Sequence, residues 1–273
     1  MNLVSIVIPV YKIQPSKNEY KSFRQCLKIL NKYPIILVCP ISLDVNFYIN
    51  LALKENANIY IERFKDSFFE NVISYNNLLL SLSFYNRFKQ SEFILIYQLD
   101  AWVFRDELEY WCKLDYDYIG APWFEEFGSN EDGKKLWNVG NGGFSLRKVG
   151  RFIYLLSYNG PVYKPHYIRK HISFRNSTNF LRTAIYFICK CFGYENSVKY
   201  FIQKNKENED CFWTLTFQNS WIKLEIAQLD IAIKFAFEKS PSYLFSQNNN
   251  KLPFGCHAWE KNEYLSFWKL YIT

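Results

Sequence analysis

The sequence is poor in the features that most directly announce a function. Glycine is scarce, with ten in 273 residues, and histidine scarcer, with three. The seven cysteines are an odd number without a CxxC pair, which argues against a disulfide framework and against zinc-ligand spacing. No P-loop, GxGxxG, HExxH or GxSxG motif occurs. P-loop nucleotide hydrolysis, ordinary dinucleotide dehydrogenation, zinc proteolysis and serine-hydrolase chemistry are therefore not expected. No uncharged apolar run approaches the roughly 18–20 residues that a bilayer-crossing helix needs, so no transmembrane helix is expected. The first apolar run, Leu3–Val10, has no basic residue before it and no small-residue cleavage site after it, so no secretory signal is expected either. Cysteines inside apolar segments, as in Ile35–Cys39, fit buried thiols in a reducing compartment, and a cytoplasmic protein is expected.

What is present is core material. The chain is 49% hydrophobic and 22% charged, with 25 Phe, 21 Tyr and 8 Trp, enough to bury a full core and to exclude a disordered or fibrous chain. The net charge is +7, and it is uneven. Residues 161–206 hold nine Lys or Arg and one acid, Glu195, while the other 227 residues sum to −1. This segment must face solvent or something anionic. Inside it, Phe180–Phe192 is strongly apolar with Arg182 and Lys190 near its ends. Two readings stand: a helix packed into the core with solvated ends, or a basic amphipathic patch for a membrane surface or a lipid-linked anionic acceptor.

The first hundred residues alternate. Strands are predicted at Leu3–Val10, Pro34–Cys39, Asn58–Phe64 and Phe93–Leu99, with helices at Lys17–Leu30, Asp44–Lys54 and Asn71–Phe84, the last capped by Asn71. Apolar strands alternating with helices predict an α/β fold, a mostly parallel sheet covered on both faces. Ligands bind such sheets beyond the carboxyl ends of the strands, where Val10-Tyr11-Lys12 and Asp100 fall. Further on, Phe104–Lys113 reads as a short helix, Glu125–Lys135 as a polar loop, Phe144–Leu146 as a strand and Asp210–Phe217 as a helix. The few glycines concentrate between positions 120 and 143, where backbone must turn tightly or approach a ligand.

Several groups could carry chemistry. Asp100, at the exit of an apolar strand, suits a hard cation beside phosphates, or caps the next helix. Asp115-Tyr116-Asp117 is a literal DxD but sits between a helix and a turn, where aspartate is common. Gly140-Asn141-Gly142-Gly143 could offer backbone amides to a sugar hydroxyl or phosphate oxygen, or form an ordinary hairpin turn. Glu209 and Asp210 open a helix as the macrodipole favours, and one of them could serve as general base toward a sugar hydroxyl. His257, between aromatics and small residues, is a candidate metal ligand or a structural histidine. His166 and His171 read as surface residues.

Taken together, VSIVIPVYK (4–12), IYQLDAWVFRDEL (96–108), YDYIGAPW (116–123), VGNGGFSLRK (139–148), NEDCFW (208–213) and PFGCHAW (253–259) resemble a bacterial glycosyltransferase-like family long catalogued only as a domain of unknown function. The resemblance spans nearly the whole chain and is weakest over 160–206. It implies a GT-A-like, Rossmann-type domain over 1–273, with a nucleotide-sugar half (1–150), an acceptor half (151–273) and a helical basic insertion. It implies that Val10, Tyr11 and Lys12 border the base and ribose, and that Asn141, Gly142 and Gly143 line the donor sugar. Asp100 would be the carboxylate of a degenerate DxD with Gln98 in its first acidic position, and His257 would complete a Mn²⁺ or Mg²⁺ site. Asp210 of the Glu209-Asp210 pair would be the acceptor's base in an inverting transfer. The implied partners are a nucleotide-sugar donor, such as a UDP-sugar, and a glycan or polyprenyl-diphosphate-linked acceptor of surface-polysaccharide synthesis, with peripheral contact at the inner face of the membrane through 161–206. Two other classes remain open: a nucleotidyltransferase of sugar phosphates, and a non-catalytic glycan- or lipid-binding module.

Overall fold

The computed structural model describes residues 1–125, 135–172 and 180–272, with only the backbone of Phe180. The central sheet begins with β1 (Asn2–Pro9), followed by α1 (Lys17–Ile29), β2 (Ile35–Pro40), α2 (Asn46–Lys54) and β3 (Ile59–Phe64). A capping box starts α1: Ser16 Oγ accepts from the Glu19 amide, and the Ser16 amide donates to the Glu19 carboxylate. Such a cap is worth about 1 kcal/mol.

After β3 come α3 (Val72–Leu79), α4 (Leu82–Asn86) and β4 (Ser91–Tyr97). Asn71 caps α3 through the Ser74 amide, but the helix expected to continue to Phe84 breaks at Ser81. The Ser81 hydroxyl donates to Leu78 O and accepts from the Phe84 amide, closing one helix and opening the next.

The chain then forms β5 (Trp102–Val103), α5 (Leu108–Lys113), β6 (Tyr118–Ile119), β7 (Ala121–Phe124), β8 (Leu136–Gly140), β9 (Phe144–Lys148) and α6 (Val149–Ser157). The helix expected from Phe104 therefore starts four residues later, because Trp102–Val103 pairs as a strand. The predicted loop Glu125–Lys135 lies, apart from its two ends, outside the described residues.

Strand order in the main sheet is β3-β2-β1-β4-β9-β6, with β1 to β4 parallel and β9 antiparallel to both β4 and β6. The expected α/β class with a mixed, mostly parallel sheet is what forms. Alternation along the buried strands divides their side chains between two cores. Ile6, Ile8, Leu37 and Leu95 pack with Phe23 and Leu27 of α1, whereas Val7, Val38, Ile94 and Ile96 pack with Leu79, Phe84 and Phe152. Both cores also draw on residues beyond position 200, such as Phe235 and Trp213.

The remaining helices are α7 (Pro165–His171), α8 (Phe180–Cys191), α9 (Val198–Lys204), α10 (Glu209–Gln218), α11 (Leu229–Phe235) and α12 (Pro241–Gln247). Two short strands, β10 (Ala236–Phe237) and β11 (Gly255–Cys256), join β5 in a small sheet with its own core around Trp259 and Trp268. The core-packed reading of Phe180–Phe192 does not hold: none of residues 181–192 is buried. All seven cysteines are free thiols, four of them buried. Among the described residues no helix is long and apolar enough to cross a membrane.

Candidate active site

The chain runs β1, β2, β3 toward one edge and then returns to place β4 on the other side of β1. That reversal is a topological switch point, and it opens a crevice at the carboxyl ends of β1 and β4. The crevice is a cleft of about 760 Å³, lined on one side by Val10–Lys12 and Tyr48 and on the other by Asn141–Gly143 and Asn208–Asp210. Gln98, Asp100, Glu238, His257 and Lys261 also line it.

The small sheet explains why Asp100 and His257 meet. Asp100 sits in the turn between β4 and β5, and β5 pairs antiparallel with β11 through Trp102 and Cys256. That register carries His257 back opposite Ala101. The result is His257 Nε2 at 3.0 Å from Asp100 Oδ1 and 3.3 Å from Gln98 Oε1. β10 runs parallel to β11 with Phe237 beside Cys256, so Glu238 follows alongside His257 and its Oε1 lies 3.2 Å from Nδ1. Gly143 makes room for the ring: a Cβ there would lie 2.1 Å from Nε2.

Burial opposes charge on the His257 ring, but Asp100 and Glu238 more than offset it and raise its pKa to about 9. Burial likewise opposes ionisation of Asp100, and His257 together with Lys261 overrides it, holding the carboxyl down at about 2. Lys261 is mostly exposed, with Nζ 3.5 Å from Asp100 Oδ2. The cleft lining is acid-rich, with Glu19, Glu70, Asp100, Glu209, Asp210, Glu238 and Glu260 against Lys12, Lys261 and the His257 ring. An anionic ligand there needs a cation to accompany it.

The donor atoms suit such a cation. Among the described residues no three His, Cys, Asp or Glu side chains converge on one point. One carboxylate oxygen, one imidazole nitrogen and the Gln98 carbonyl do meet, leaving the remaining positions to ligand oxygens and water. The Glu238 contact matches the usual pattern for a ligating histidine, whose other ring N–H is held by a carboxylate so that the ligating nitrogen keeps its lone pair.

The opposite wall is built around Arg147. This side chain is fully buried and forks onto Glu209, Nη2 to Oε1 at 2.7 Å and Nη1 to Oε2 at 3.0 Å, while also reaching Tyr85 and Ser145. Burial works against the guanidinium's charge, and Glu209 holds it charged nonetheless. Burial also pushes the Glu209 carboxyl up against the pull of Arg147. Both Glu209 oxygens are engaged by Arg147, and Asp210 Oδ1 accepts from the Cys211 amide at 2.9 Å.

The expected free amides of the glycine loop are also engaged. Asn141 N and Gly142 N donate to Asp210 Oδ2 at 2.9 and 3.1 Å. The loop is not a hairpin turn, because β8 pairs with β7 whereas β9 pairs with β4. Asn141, at φ 77°, accepts from the Gly143 amide through Oδ1, and its buried Nδ2 has no hydrogen-bond partner among the described residues. The left-handed conformation is one that asparagine tolerates.

The other candidates are placed as follows. Val10 turns its side chain into the core, so only its backbone borders the cleft; Tyr11 is exposed, and Lys12 pairs with Glu19 at 2.8 Å. Asp115 is an exposed partner of Lys148 and Asp117 accepts from the Glu225 amide, so this DxD is structural and away from the cleft. Asp100 caps no helix, since α5 begins at Leu108. His166 and His171 are exposed. Sequence reasoning missed Glu238 and Lys261, and the only available signal was their nearness to His257 across strands too short to show a pattern.

Fold and site together define an α/β protein with a ligand cleft at its switch point. The chain belongs to the family described as "Protein of unknown function (DUF5672)", whose model matches residues 58–257. No curated protein matches it. Many solved structures do, at low identity. The mannosyltransferase Ktr4p from S. cerevisiae is 9% identical over 84% of this chain and 69% of its own, with a TM-score of 0.49. Core-mannan synthase A from Aspergillus fumigatus, in an Mn/GDP form, is 9% identical over 78% and 72%, with a TM-score of 0.40. TarS 1-349 of S. aureus with UDP-GlcNAc is 13% identical over 55% of this chain, at TM-score 0.35, and this chain spans 46% of that one.

Proposed function

We propose that the protein is a metal-dependent GT-A-type glycosyltransferase that moves a hexosyl group from a nucleotide sugar, a UDP-sugar, to a hydroxyl of a glycan or polyprenyl-diphosphate-linked acceptor in surface-polysaccharide synthesis. The observation that carries this reading is the 3.0 Å meeting of Asp100 and His257, 157 positions apart in the chain, in the switch-point cleft. In this reading residues 1–150 form the donor half and 151–273 the acceptor half, and the protein works at the cytoplasmic membrane face through 161–206.

Asp100 and His257, with Gln98 beside them, would hold Mn²⁺ or Mg²⁺, whose charge would offset that of the donor diphosphate and of the departing nucleoside diphosphate. Glu238 orients the His257 ring. Lys261 adds a second positive charge beside Asp100, and Tyr11 and Lys12 flank the nucleoside. Asn141 Nδ2 is a hydrogen-bond donor in need of an acceptor, which a donor-sugar oxygen supplies. Asp210 removes the proton from the acceptor hydroxyl as that oxygen bonds to the anomeric carbon. The bond to diphosphate breaks on the opposite face, and configuration inverts. A positioned carboxylate base contributes roughly 10²–10⁴-fold.

The test is a screen of nucleotide sugars for metal-dependent release of nucleoside diphosphate. Release that Asp100→Ala and His257→Ala both abolish supports transfer. Pyrophosphate as product assigns nucleotidyl transfer instead, and no turnover with any donor or metal leaves a binding module.

A further inference from the structure

The basic excursion between α6 and α10 is planted in the body of the protein by one set of residues and presents another set outward. Val162 and Val198 are buried in the second core. Asn196, only 2% exposed, ties the excursion together. Its Nδ2 donates to Tyr163 O and Lys190 O, both at 3.0 Å, and its carbonyl and Oδ1 accept from the Val162 and Tyr163 amides. The last turn of α8 is thus pinned through Lys190 O, and α7 packs along the same helix.

Held this way, α8 turns an apolar stripe to solvent. Leu181, Ile185, Ile188 and Phe192 advance by four, three and four residues, the spacing of one helical face. They are 69%, 54%, 53% and 84% exposed. Arg169 and Lys170 at the end of α7, and Lys199 and Lys204 on α9, are exposed on the preceding and following helices. Glu195 is the one acid of 161–206, and its partly exposed carboxylate is paired with Tyr186 and Lys190.

We infer that this face docks on an anionic lipid bilayer, with the α8 stripe entering the headgroup boundary and the flanking cations meeting the lipid phosphates. The charge argues for this occupant: a stripe meant for a second copy of this chain would bring two strongly basic segments together, whereas an anionic leaflet complements both the stripe and its surroundings. The inference deepens the membrane contact of the proposed function but does not depend on its transfer chemistry, because vesicle binding and donor hydrolysis are measured separately.

The test is co-flotation of the full chain with vesicles of phosphatidylglycerol and phosphatidylcholine, compared with phosphatidylcholine alone. The expected result is binding that requires the anionic lipid and weakens with salt. Ile185→Glu combined with Phe192→Glu should reduce it about tenfold or more while leaving the thermal melt unchanged, since both positions are exposed. Lys170→Ala with Lys199→Ala should reduce it as well, by roughly 25-fold, because each surface cation contributes about fivefold. Equal binding by the Glu variants, or absence of binding by the parent, overturns the inference. A dimer in solution that the Glu variants convert to monomer assigns the stripe to a second copy and overturns it as well.

Discussion

Glu238 Oε1 lies 3.2 Å from His257 Nδ1, on the side of the ring opposite Asp100. The imidazole is therefore clamped between two carboxylates, both of which line the cleft. Without a metal both ring nitrogens donate, Nδ1–H to Glu238 and Nε2–H to Asp100; a cation at Nε2 would replace the second proton while Glu238 keeps the first. Glu238→Gln keeps the shape of the clamp and removes its charge, so Mn²⁺ affinity should fall by roughly 10–100-fold. Titration calorimetry of the variant against the parent measures this, and unchanged affinity would reduce Glu238 to a packing role.

The same clamp sets a pH dependence. In the metal-free protein the pKa of His257 is raised from an ordinary 6.5 to about 9, with Asp100, Glu238 and Lys261 facing it. A group whose folded pKa is raised stabilises the fold fully below its unfolded pKa and loses that contribution as pH climbs through the folded value. Stability should thus be highest between about pH 4, below which the contribution of the depressed Asp100 carboxyl is lost, and about pH 6.5, and decline by about 3 kcal/mol toward pH 9. For a chain of this size that is a fall of several degrees in Tm. Thermal melts in chelator across this range test it, and His257→Gln should flatten the profile.

Much of this arrangement was readable in advance, and the unreadable part has a common cause. β-branched and apolar runs bounded by Pro or Asp fix β1, β2 and β4, and a carboxylate at the end of β4 follows directly from that pattern. Arg147 shows no such signal. It lies just past the predicted strand Phe144–Leu146, and its burial is offset by Glu209, 62 positions later. The engagement of the Asn141 and Gly142 amides by Asp210 is likewise a tertiary contact with no sequence period. Two-residue strands such as β10 and β11 are too short to display alternation, so Glu238 stayed hidden. In α8 the stripe was visible, but its direction depends on what the rest of the chain leaves uncovered.

Arg147 and Glu209 should behave as one unit in stability. Removing either partner strands a buried charge, at a cost of about 3–5 kcal/mol. Arg147→Met and Glu209→Leu are each expected to lower the denaturant midpoint sharply, and the double variant to recover a large part of the loss. A double-mutant cycle in urea gives the coupling, and additive effects would show that the pair does not act as a unit.

Gly143→Ala probes the approach of ring to backbone. A methyl group would occupy the space of the His257 ring, 2.1 Å from Nε2, so the imidazole must leave its position beside Asp100. Metal binding should drop while the circular dichroism spectrum stays close to that of the parent. Retained affinity would mean that Nε2 is not a ligand.

Asp210→Asn separates chemistry from architecture at the loop. Asparagine can still present an oxygen to the Asn141 and Gly142 amides, which now donate to Asp210 Oδ2 at 2.9 and 3.1 Å, so the loop should keep its path. What it loses is the capacity to accept a proton, together with the acceptor that Asp210 Oδ1 offers the Cys211 amide at 2.9 Å. If Asp210 is the base, kcat falls by roughly 10²–10⁴-fold while the dissociation constant for the nucleotide sugar stays within a few-fold of the parent. If its main work is instead to fasten the loop, the damage appears in donor affinity, and Asp210→Ala, which removes the acceptor altogether, damages it far more than Asp210→Asn does. Equilibrium binding and single-turnover rates on the two variants together distinguish these outcomes.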